Sequence, residues 1–334
     1  MTTLVPRLPL QDLALAPASL TSYNRSLRNF LTFARLSPQQ LLTEPAIRLD
    51  RLLAVYIQHS FDTASPFTYA AHALHAVAFY RPDVKSQLFV SRQCLKGWER
   101  VKRSASHPPL TWELTVAIAC WLARSGFHAP AVAVLVAFDC YLRVGELTRI
   151  RLHDVVMPHD ARMGDAHTGM AVCLARTKTG LNQSVALHRG AVATVLCRWV
   201  QIIRSAPSQD NNPLIFPFSA YRLRCLIRTA CERLGVGHTA YVPHSLRHGG
   251  ATADFLLTGS IEHVQFRGRW KSMESVRTYV QTARALLAAQ TVPAALTALG
   301  KQLSTELVDV MSAFLGAAPP AAYAPRARRV TFHL

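Results

Sequence analysis

The stretch His244-Ser245-Leu246-Arg247-His248-Gly249 leads into a helix that is predicted from Leu246 to Leu257. It sets a histidine and an arginine three residues apart and continues with small residues, which let a helix approach its neighbour closely. A His-x-x-Arg step alone is more often a surface or structural feature than a reactive pair. Its meaning therefore depends on the segments on either side.

Three other segments carry polar residues in a fixed order around this pair. Arg143 lies upstream in Tyr141-Leu142-Arg143-Val144-Gly145-Glu146-Leu147, and Lys178 lies in the turn of a predicted hairpin. Downstream, Trp270 follows Gly268-Arg269, and Tyr279 comes nine residues after the tryptophan. Each segment is a weak signal by itself. Their order and spacing together indicate one site.

The ordered set resembles the tyrosine recombinase, or phage integrase, family, whose pattern is Arg, Lys, His-x-x-Arg, His or Trp, and Tyr. The resemblance extends over most of residues 110–281, with Trp270 where the family more often has histidine. It implies a DNA strand transferase that forms a 3′-phosphotyrosyl intermediate without metal, ATP or another cofactor. The implied catalytic residues are Arg143, Lys178, His244, Arg247, Trp270 and Tyr279, with Glu146 in support.

The chemistry of phosphodiester attack accounts for the two arginines. Attack places negative charge on the non-bridging oxygens, and a guanidinium offers them a planar fork of permanent donors. Arg143 and Arg247 are expected to clamp the phosphate, with the Trp270 indole N–H and His244 as further donors. Loss of one such donor typically costs on the order of 100-fold in rate.

The proton transfers that the reaction requires suggest roles for the other residues of the set. A phenol titrates at about pH 10, so Tyr279 needs nearby cations that favour its phenolate. Because indole donates but cannot accept a proton, His244 is the better candidate for a base. Lys178 at the hairpin tip is expected to protonate the leaving 5′ oxygen. Glu146 either orients an arginine or His244, or forms a plain surface salt bridge.

Charge and composition restrict the partner. The 334 residues include 37 Lys plus Arg against 19 Asp plus Glu, a formal charge of +18 that attracts polyanions such as nucleic acid or an anionic membrane surface. No apolar run of about 18 residues and no secretory signal appear, so we expect an intracellular protein, in the cytoplasm of a prokaryote or the nucleus of a eukaryote. The cysteine spacing does not suggest a metal site.

The hydrophobic pattern predicts a mainly α fold with a small antiparallel sheet. Residues 1–18 are expected to form a flexible arm, residues 19–104 a helical domain, residues 110–300 a mixed α/β domain, and residues 301–334 a helix with a basic tail. By resemblance, the second segment is a SAM-like core-binding domain and the third the catalytic domain. Strands are predicted at residues 150–152, 170–175 and 183–187, and the last two pair across the turn that holds Lys178.

Further basic side chains are candidates for contact with DNA phosphates, and a solvated helix face is the alternative for each group. One group lies on the polar face of a helix predicted over residues 90–101 and just after it, a second lies on the helix at residues 221–234, and a third surrounds Trp270. They are Arg92, Lys96, Arg100, Lys102 and Arg103, then Arg222 and Arg224, then Arg267, Arg269 and Lys271.

Assembly and function each have an alternative. An apolar stripe at residues 303–315 is expected to dock on a neighbouring protomer, with docking in its own chain left open. By resemblance, recombination requires four protomers on double-stranded DNA. The nearest alternative functions are relaxation of DNA by a type IB topoisomerase-like enzyme and DNA binding by a catalytically silent relative of a recombinase.

Overall fold

The computed structural model describes residues 10, 14–102, 107–158, 160, 169–177, 180–207 and 209–316. These residues form two compact units, and the division falls between residues 105 and 106. The fold is mainly helical with one small antiparallel sheet, as the hydrophobic pattern predicts. None of the helices in these ranges is long and apolar enough to cross a membrane.

The first unit is a helical bundle with its own apolar core. Leu27 and Phe30 lie three residues apart and are both fully buried in it. Asp50 accepts hydrogen bonds from the backbone N–H groups of Val90 and Ser91, which have no partner inside their own helix. The helices are α1 (Pro17–Ala34), α2 (Pro38–Thr43), α3 (Ala46–Asp62), α4 (Phe67–Tyr80) and α5 (Phe89–Val101).

The second unit surrounds a helix that is buried on all sides. Its helices begin with α6 (Trp112–Arg124), α7 (His128–Asp139), α8 (Val144–Leu147), α9 (Gly190–Ser205) and α10 (Ala220–Arg233). They continue with α11 (Pro243–Thr258), α12 (Ile261–Gly268), α13 (Met273–Tyr279), α14 (Thr282–Gln290), α15 (Ala294–Thr305) and α16 (Leu307–Gly316). Almost every residue of α7 is buried, as expected for a helix that is apolar around its circumference.

The sheet has three antiparallel strands in the order β1 (Val155–Val156), β2 (Ala171–Arg176) and β3 (Leu181–Ala186). Val172 pairs with Val185 in the hairpin of β2 and β3. That hairpin agrees with the predicted pairing. Its tip at residues 178–179, which includes Lys178, lies outside the described residues.

Two boundaries differ from the sequence prediction. Helix α1 begins at Pro17, inside the segment expected to be a flexible arm, and most of that segment lies outside the described residues. The strand predicted at residues 150–152 is wrong. Asp154 accepts the backbone N–H of Arg151 and stabilises a short 3₁₀ turn, so Arg151 forms only an isolated bridge with Leu214 and β1 starts later.

The C-terminal helices dock in their own chain. Helix α16 packs on α6 and α9, and Leu307, Met311 and Leu315 are buried in the core of the second unit. Helix α15 lies along α6, where the Trp112 indole N–H donates to Ser304 Oγ at 2.6 Å. The expectation that this apolar stripe docks on a neighbouring protomer is therefore replaced by docking in cis.

Candidate active site

Tyr279 is the last residue of α13. Its ring lies among four side chains, three from α11 and one from the segment between α12 and α13. The ring centroids of Trp270 and His248 are each 4.8 Å from that of Tyr279, and the centroid of His244 is 5.3 Å away. The guanidinium carbon of Arg247 lies 5.1 Å from the centroid of the Tyr279 ring. The structure thus brings four of the six predicted catalytic residues into direct contact.

Hydrogen bonds join the backbone at the end of α13 to side chains of α11. Thr252 Oγ1 donates to the carbonyl oxygen of Tyr279 at 3.2 Å and accepts the backbone N–H of Gln281 at 3.1 Å. His248 Nδ1 lies 3.4 Å from the same carbonyl oxygen. These contacts hold the tyrosine beside the helix that carries His244 and Arg247.

The two histidines next to Tyr279 are uncharged at neutral pH. Burial, followed by the charge of Arg247, lowers the pKa of His244 to about 4. Burial and the proximity of His244 lower the pKa of His248 to about 4. Neutral imidazoles can accept a proton. His248 was not predicted as a site residue, although its four-residue step from His244 places both rings on one helix face.

Arg247 is a fully buried cation at the floor of the site. It donates from Nη1 to the carbonyl oxygen of Tyr141 and from Nη2 to that of Gly268 at 2.9 Å. Burial and the charge of Arg143 lower its pKa, yet a guanidinium remains protonated at neutral pH. The guanidinium carbon lies 4.3 Å from the centroid of the Trp270 ring, so the indole covers it on one side.

Trp270 fits because the residue two positions earlier is glycine. A Cβ at Gly268 would overlap the six-membered ring of the indole. The ring also stacks on Tyr141, with centroids 6.1 Å apart. The indole nitrogen is buried and has no hydrogen-bond partner among the described residues. The indole N–H is therefore a positioned hydrogen-bond donor that lacks an acceptor among the described residues.

Glu146 joins two arginines beneath the site. Its carboxylate accepts Arg143 Nη1 at 2.7 Å, the backbone N–H of Arg143 at 3.0 Å and Arg269 Nη2 at 3.1 Å. Burial raises the pKa of Glu146, but the backbone N–H of Arg143 and the charges of the two arginines outweigh it, and the pKa lies below its usual value. The carboxylate is a buried anion, so the surface salt bridge left open by the sequence is excluded.

The predicted DNA contact at Arg267 is wrong. This side chain is buried, and its guanidinium donates to the Asp254 carboxylate and to the Tyr141 hydroxyl at 3.0 Å, with Asp139 at 3.5 Å. Burial raises the pKa of Tyr141 and keeps it a neutral phenol. The cation therefore compensates two buried carboxylates and is withheld from solvent.

Tyr141 was also missed as a residue that organises the site. It has a φ of 47°, in the left-handed region, and its carbonyl oxygen holds Arg247 while its hydroxyl reaches Asp254. Outliers of this kind persist where the surrounding structure requires them, often near functional sites. Its position two residues before Arg143 was the only signal in the sequence.

The DNA contact predicted at Arg269 is also wrong, because its guanidinium is buried on Glu146. The remaining predicted DNA contacts are at least partly solvent-accessible or lie outside the described residues. Arg103 belongs to the latter group, as does the predicted catalytic Lys178. In the first unit the lining of a groove of about 1050 Å³ includes Lys96, Arg100 and Lys102 together with the acidic Glu99. Arg92 of the same helix is half-buried, and its guanidinium donates to the backbone carbonyl oxygen of Lys85. In the second unit three predicted contacts are exposed, namely Arg222, Arg224 and Lys271.

The electrostatics of the site favour an anion. Two of the side chains beside Tyr279 carry buried N–H donors with no partner among the described residues: Arg247 Nε and Trp270 Nε1. Unpaired buried donors cost free energy, so a cluster of them indicates a ligand that accepts hydrogen bonds. Together with Arg143, they are suited to the oxygens of a phosphate.

A metal ion does not fit the residues near this site. Within the described ranges, one group of potential ligands comes together, formed by His188, Asp254 and His263, with ligand atoms within 4.8 Å of one another. The Asp254 carboxylate already accepts hydrogen bonds from Tyr141 and Arg267. It therefore offers little free capacity to coordinate a cation, and the adjacent guanidinium repels one.

Solved structures of known proteins share this fold. A lambda integrase dimer bound to a COC′ core site has a TM-score of 0.56 at 14% identity, over 82% of this chain and 93% of that chain. A XerH site-specific recombinase bound to palindromic difH substrate, in a post-cleavage complex, has a TM-score of 0.55 at 16% identity, over 82% and 80%. The Tn1549 transposon integrase in complex with circular intermediate DNA has a TM-score of 0.54 at 11% identity, over 82% of this chain and 94% of that chain.

Sequence comparison gives the family directly. No curated protein matches the chain in sequence. The profile of the phage integrase family, however, matches residues 116–285, about half of the chain. This range contains Arg143, His244, Arg247, Trp270 and Tyr279. The chain belongs to the phage integrase family of tyrosine recombinases.

Proposed function

We propose that this protein is a site-specific DNA recombinase that cleaves and rejoins strands through a 3′-phosphotyrosyl bond to Tyr279. The phenolic oxygen attacks the phosphorus, the bond from phosphorus to the 5′ oxygen breaks, and a 5′ hydroxyl leaves. The tyrosyl ester keeps the energy of the broken phosphodiester, so a different 5′ hydroxyl can reverse the step without ATP. The contact of Tyr279 with Arg247, beside the unpaired donors, is the observation that carries this proposal.

Charge stabilisation comes from the arginines. The transition state carries its negative charge on the non-bridging oxygens, where preorganised donors contribute most. Arg143 has one nitrogen held by Glu146 and remains about one-fifth exposed, so it can meet a phosphate that enters from solvent. Each Nη group of Arg247 donates one hydrogen bond to a carbonyl oxygen, and its Nε, which has no partner among the described residues, can donate to the phosphate.

Proton transfer uses two further side chains. His244 lies next to Tyr279 as a neutral imidazole and takes the phenolic proton. An approaching phosphate raises the pKa of that imidazole, because negative charge favours its protonated form. The 5′ oxygen receives its proton from Lys178, a role that stays a prediction from the sequence.

Double-stranded DNA is the proposed partner, and the whole chain contributes to its recognition. The formal charge of +18 supplies the attraction, and the groove formed by Lys96, Arg100 and Lys102 supplies phosphate contacts in the first unit. We assign residues 19–104 as the core-binding domain and residues 110–300 as the catalytic domain. Four protomers on DNA would carry out exchange inside the cell.

A suicide substrate tests the proposal. DNA selected by this protein from a random pool, nicked so that the cleaved 5′ end diffuses away, should trap a covalent adduct that migrates more slowly in a denaturing gel. Tyr279→Phe should bind the same DNA and form no adduct. Tyr221→Phe, which alters a tyrosine that is 75% exposed, should form it at the wild-type rate. An adduct with Tyr279→Phe, or none with the wild-type protein, would refute the assignment.

A second assay separates recombination from relaxation. Supercoiled plasmid with a single selected site, incubated with the protein at low concentration, should remain supercoiled, whereas two sites should yield exchanged products. Relaxation by a monomer at sites without sequence preference would favour the topoisomerase-like alternative. Sequence-specific binding with no adduct would favour the catalytically silent one.

A further inference from the structure

We propose that Arg269 is a positioning residue for strand cleavage, which holds the Glu146 carboxylate and, through it, the Arg143 guanidinium in the orientation that meets the phosphate. This inference rests on the proposed function and extends it to a residue expected only to grip DNA outside the catalytic centre. Arg269 would act without touching the substrate.

The backbone at Arg269 has a conformation that is unfavourable for an arginine. The residue ends α12 with φ 56° and ψ 41°, in the left-handed region, and its N–H donates to the Phe266 carbonyl oxygen at 3.1 Å. Glycine suits this position best, because a Cβ crowds the backbone there. The arginine therefore costs backbone strain here, and the contacts of its side chain decide whether it has a role.

The side chain is directed inward. The Arg269 guanidinium is only 5% exposed, and its hydrogen bond to Glu146 Oε2 is 3.1 Å long. Burial, the largest effect, lowers the pKa of Arg269, and the charge of the Glu146 carboxylate opposes that shift. This location does not suit a contact with the DNA backbone in solvent, which is the role that the sequence suggested.

The shared carboxylate explains how a buried arginine affects the pocket. Glu146 uses Oε1 for Arg143 Nη1 and Oε2 for both the Arg143 backbone N–H and Arg269 Nη2. With Arg269 removed, the carboxylate keeps bonds only to Arg143 and can rotate with it. An arginine side chain has many rotamers, so fixing its partner from a second element preorganises the guanidinium.

Arg269→Gly is the decisive variant, because it removes the side chain and relieves the backbone. If Arg269 served only to end α12, glycine would be at least as good. We expect instead that Arg269→Gly folds and binds DNA within about 2-fold of wild type, and cleaves a suicide substrate about 10- to 100-fold more slowly. Arg269→Lys, which can still donate to Glu146, should recover part of the rate.

Arg35→Gly is the matched control. Arg35 ends α1 with φ 54° and ψ 41°, nearly the same backbone conformation, and its side chain is exposed in the first unit. Arg35→Gly should cleave at the wild-type rate. In addition, Glu146→Gln and Arg269→Gly should not be additive, since both act on Arg143 through one carboxylate.

The outcomes separate this inference from the proposed function. Wild-type cleavage by Arg269→Gly, or additive losses in the double variant, would overturn the inference while leaving the function intact. An equal loss of DNA binding and cleavage would make Arg269 a phosphate contact and would also overturn it. Failure of the wild-type protein to form any adduct would refute the proposed function itself.

Discussion

Burial determines the protonation of the two histidines beside Tyr279, and this has a measurable effect on stability. Burial lowers the pKa of His244 and of His248 to about 4 in the folded chain, from an ordinary value of about 6.5. Between those values the unfolded chain binds protons that the folded chain does not. Their contribution to the free energy of unfolding is therefore complete above about pH 6.5 and is lost as the pH falls towards 4.

Removal of one histidine should flatten this dependence. We expect His248→Gln to lose less of its stability than the wild-type protein between pH 7 and pH 4.5, as measured by urea denaturation at a series of pH values. The control is His238→Gln, which changes an exposed histidine and should follow the wild-type curve. Parallel curves for His248→Gln and wild type would show that His248 is not held neutral by the fold.

Individual residues also mark the limit of what the sequence can predict. The order and spacing of the motifs predicted His244, Arg247 and Trp270, which meet at Tyr279, but did not predict His248. Burial depends on partners far along the chain, so Arg267 was assigned to DNA although Asp139 and Asp254 enclose it. The carboxylate shared by Arg269 could not be predicted for the same reason.

At the scale of the elements, the close approach of α11 to α7 positions the site. A Cβ at Gly250 would overlap the carbonyl oxygen of Phe138 and the ring of Tyr141. Gly250→Ala must therefore push α11 away from α7, and we expect a loss of about 2–4 kcal/mol in the free energy of unfolding, with reduced cleavage.

A second helical glycine provides the comparison for that experiment. Gly190, at the start of α9, has open space where a Cβ would lie. Gly190→Ala should be neutral or slightly stabilising, because alanine has the higher helix propensity. Equal effects of the two substitutions in urea denaturation would contradict a tight contact between α11 and α7.

The elements themselves were largely predictable where the apolar residues are periodic. Helices α1, α3, α4 and α5 of the first unit and the hairpin of β2 and β3 follow their patterns, whereas the short helix α2 was not predicted. The strand expected at residues 150–152 did not form, because Asp154 competes for the backbone N–H of Arg151. Hydrophobic periodicity gives little indication of local side-chain hydrogen bonds of this kind.

At the scale of the whole molecule, excess positive charge should make DNA binding strongly dependent on salt. Each phosphate contact contributes a slope of about −0.9 in log affinity against log salt concentration. Arg100→Ala should make this slope shallower by about one unit and leave the cleavage rate of bound DNA unchanged. Fluorescence anisotropy at several salt concentrations measures the slope.

The control for charge alone is Lys301→Ala, an exposed residue of α15 outside the groove of the first unit. It removes the same charge and should leave the slope near the wild-type value. If both variants shift the slope equally, the groove of Lys96, Arg100 and Lys102 has no special part in DNA binding.

The fit of the Trp270 ring over Gly268 constrains how this site could have evolved. A larger residue at position 268 is incompatible with an indole at position 270, whereas a smaller ring at 270 leaves more room. An ancestor with a side chain at 268 must therefore have lost it before tryptophan could become established. With the indole in place, any side chain at position 268 would have to displace the ring, so the two positions can change only in a fixed order.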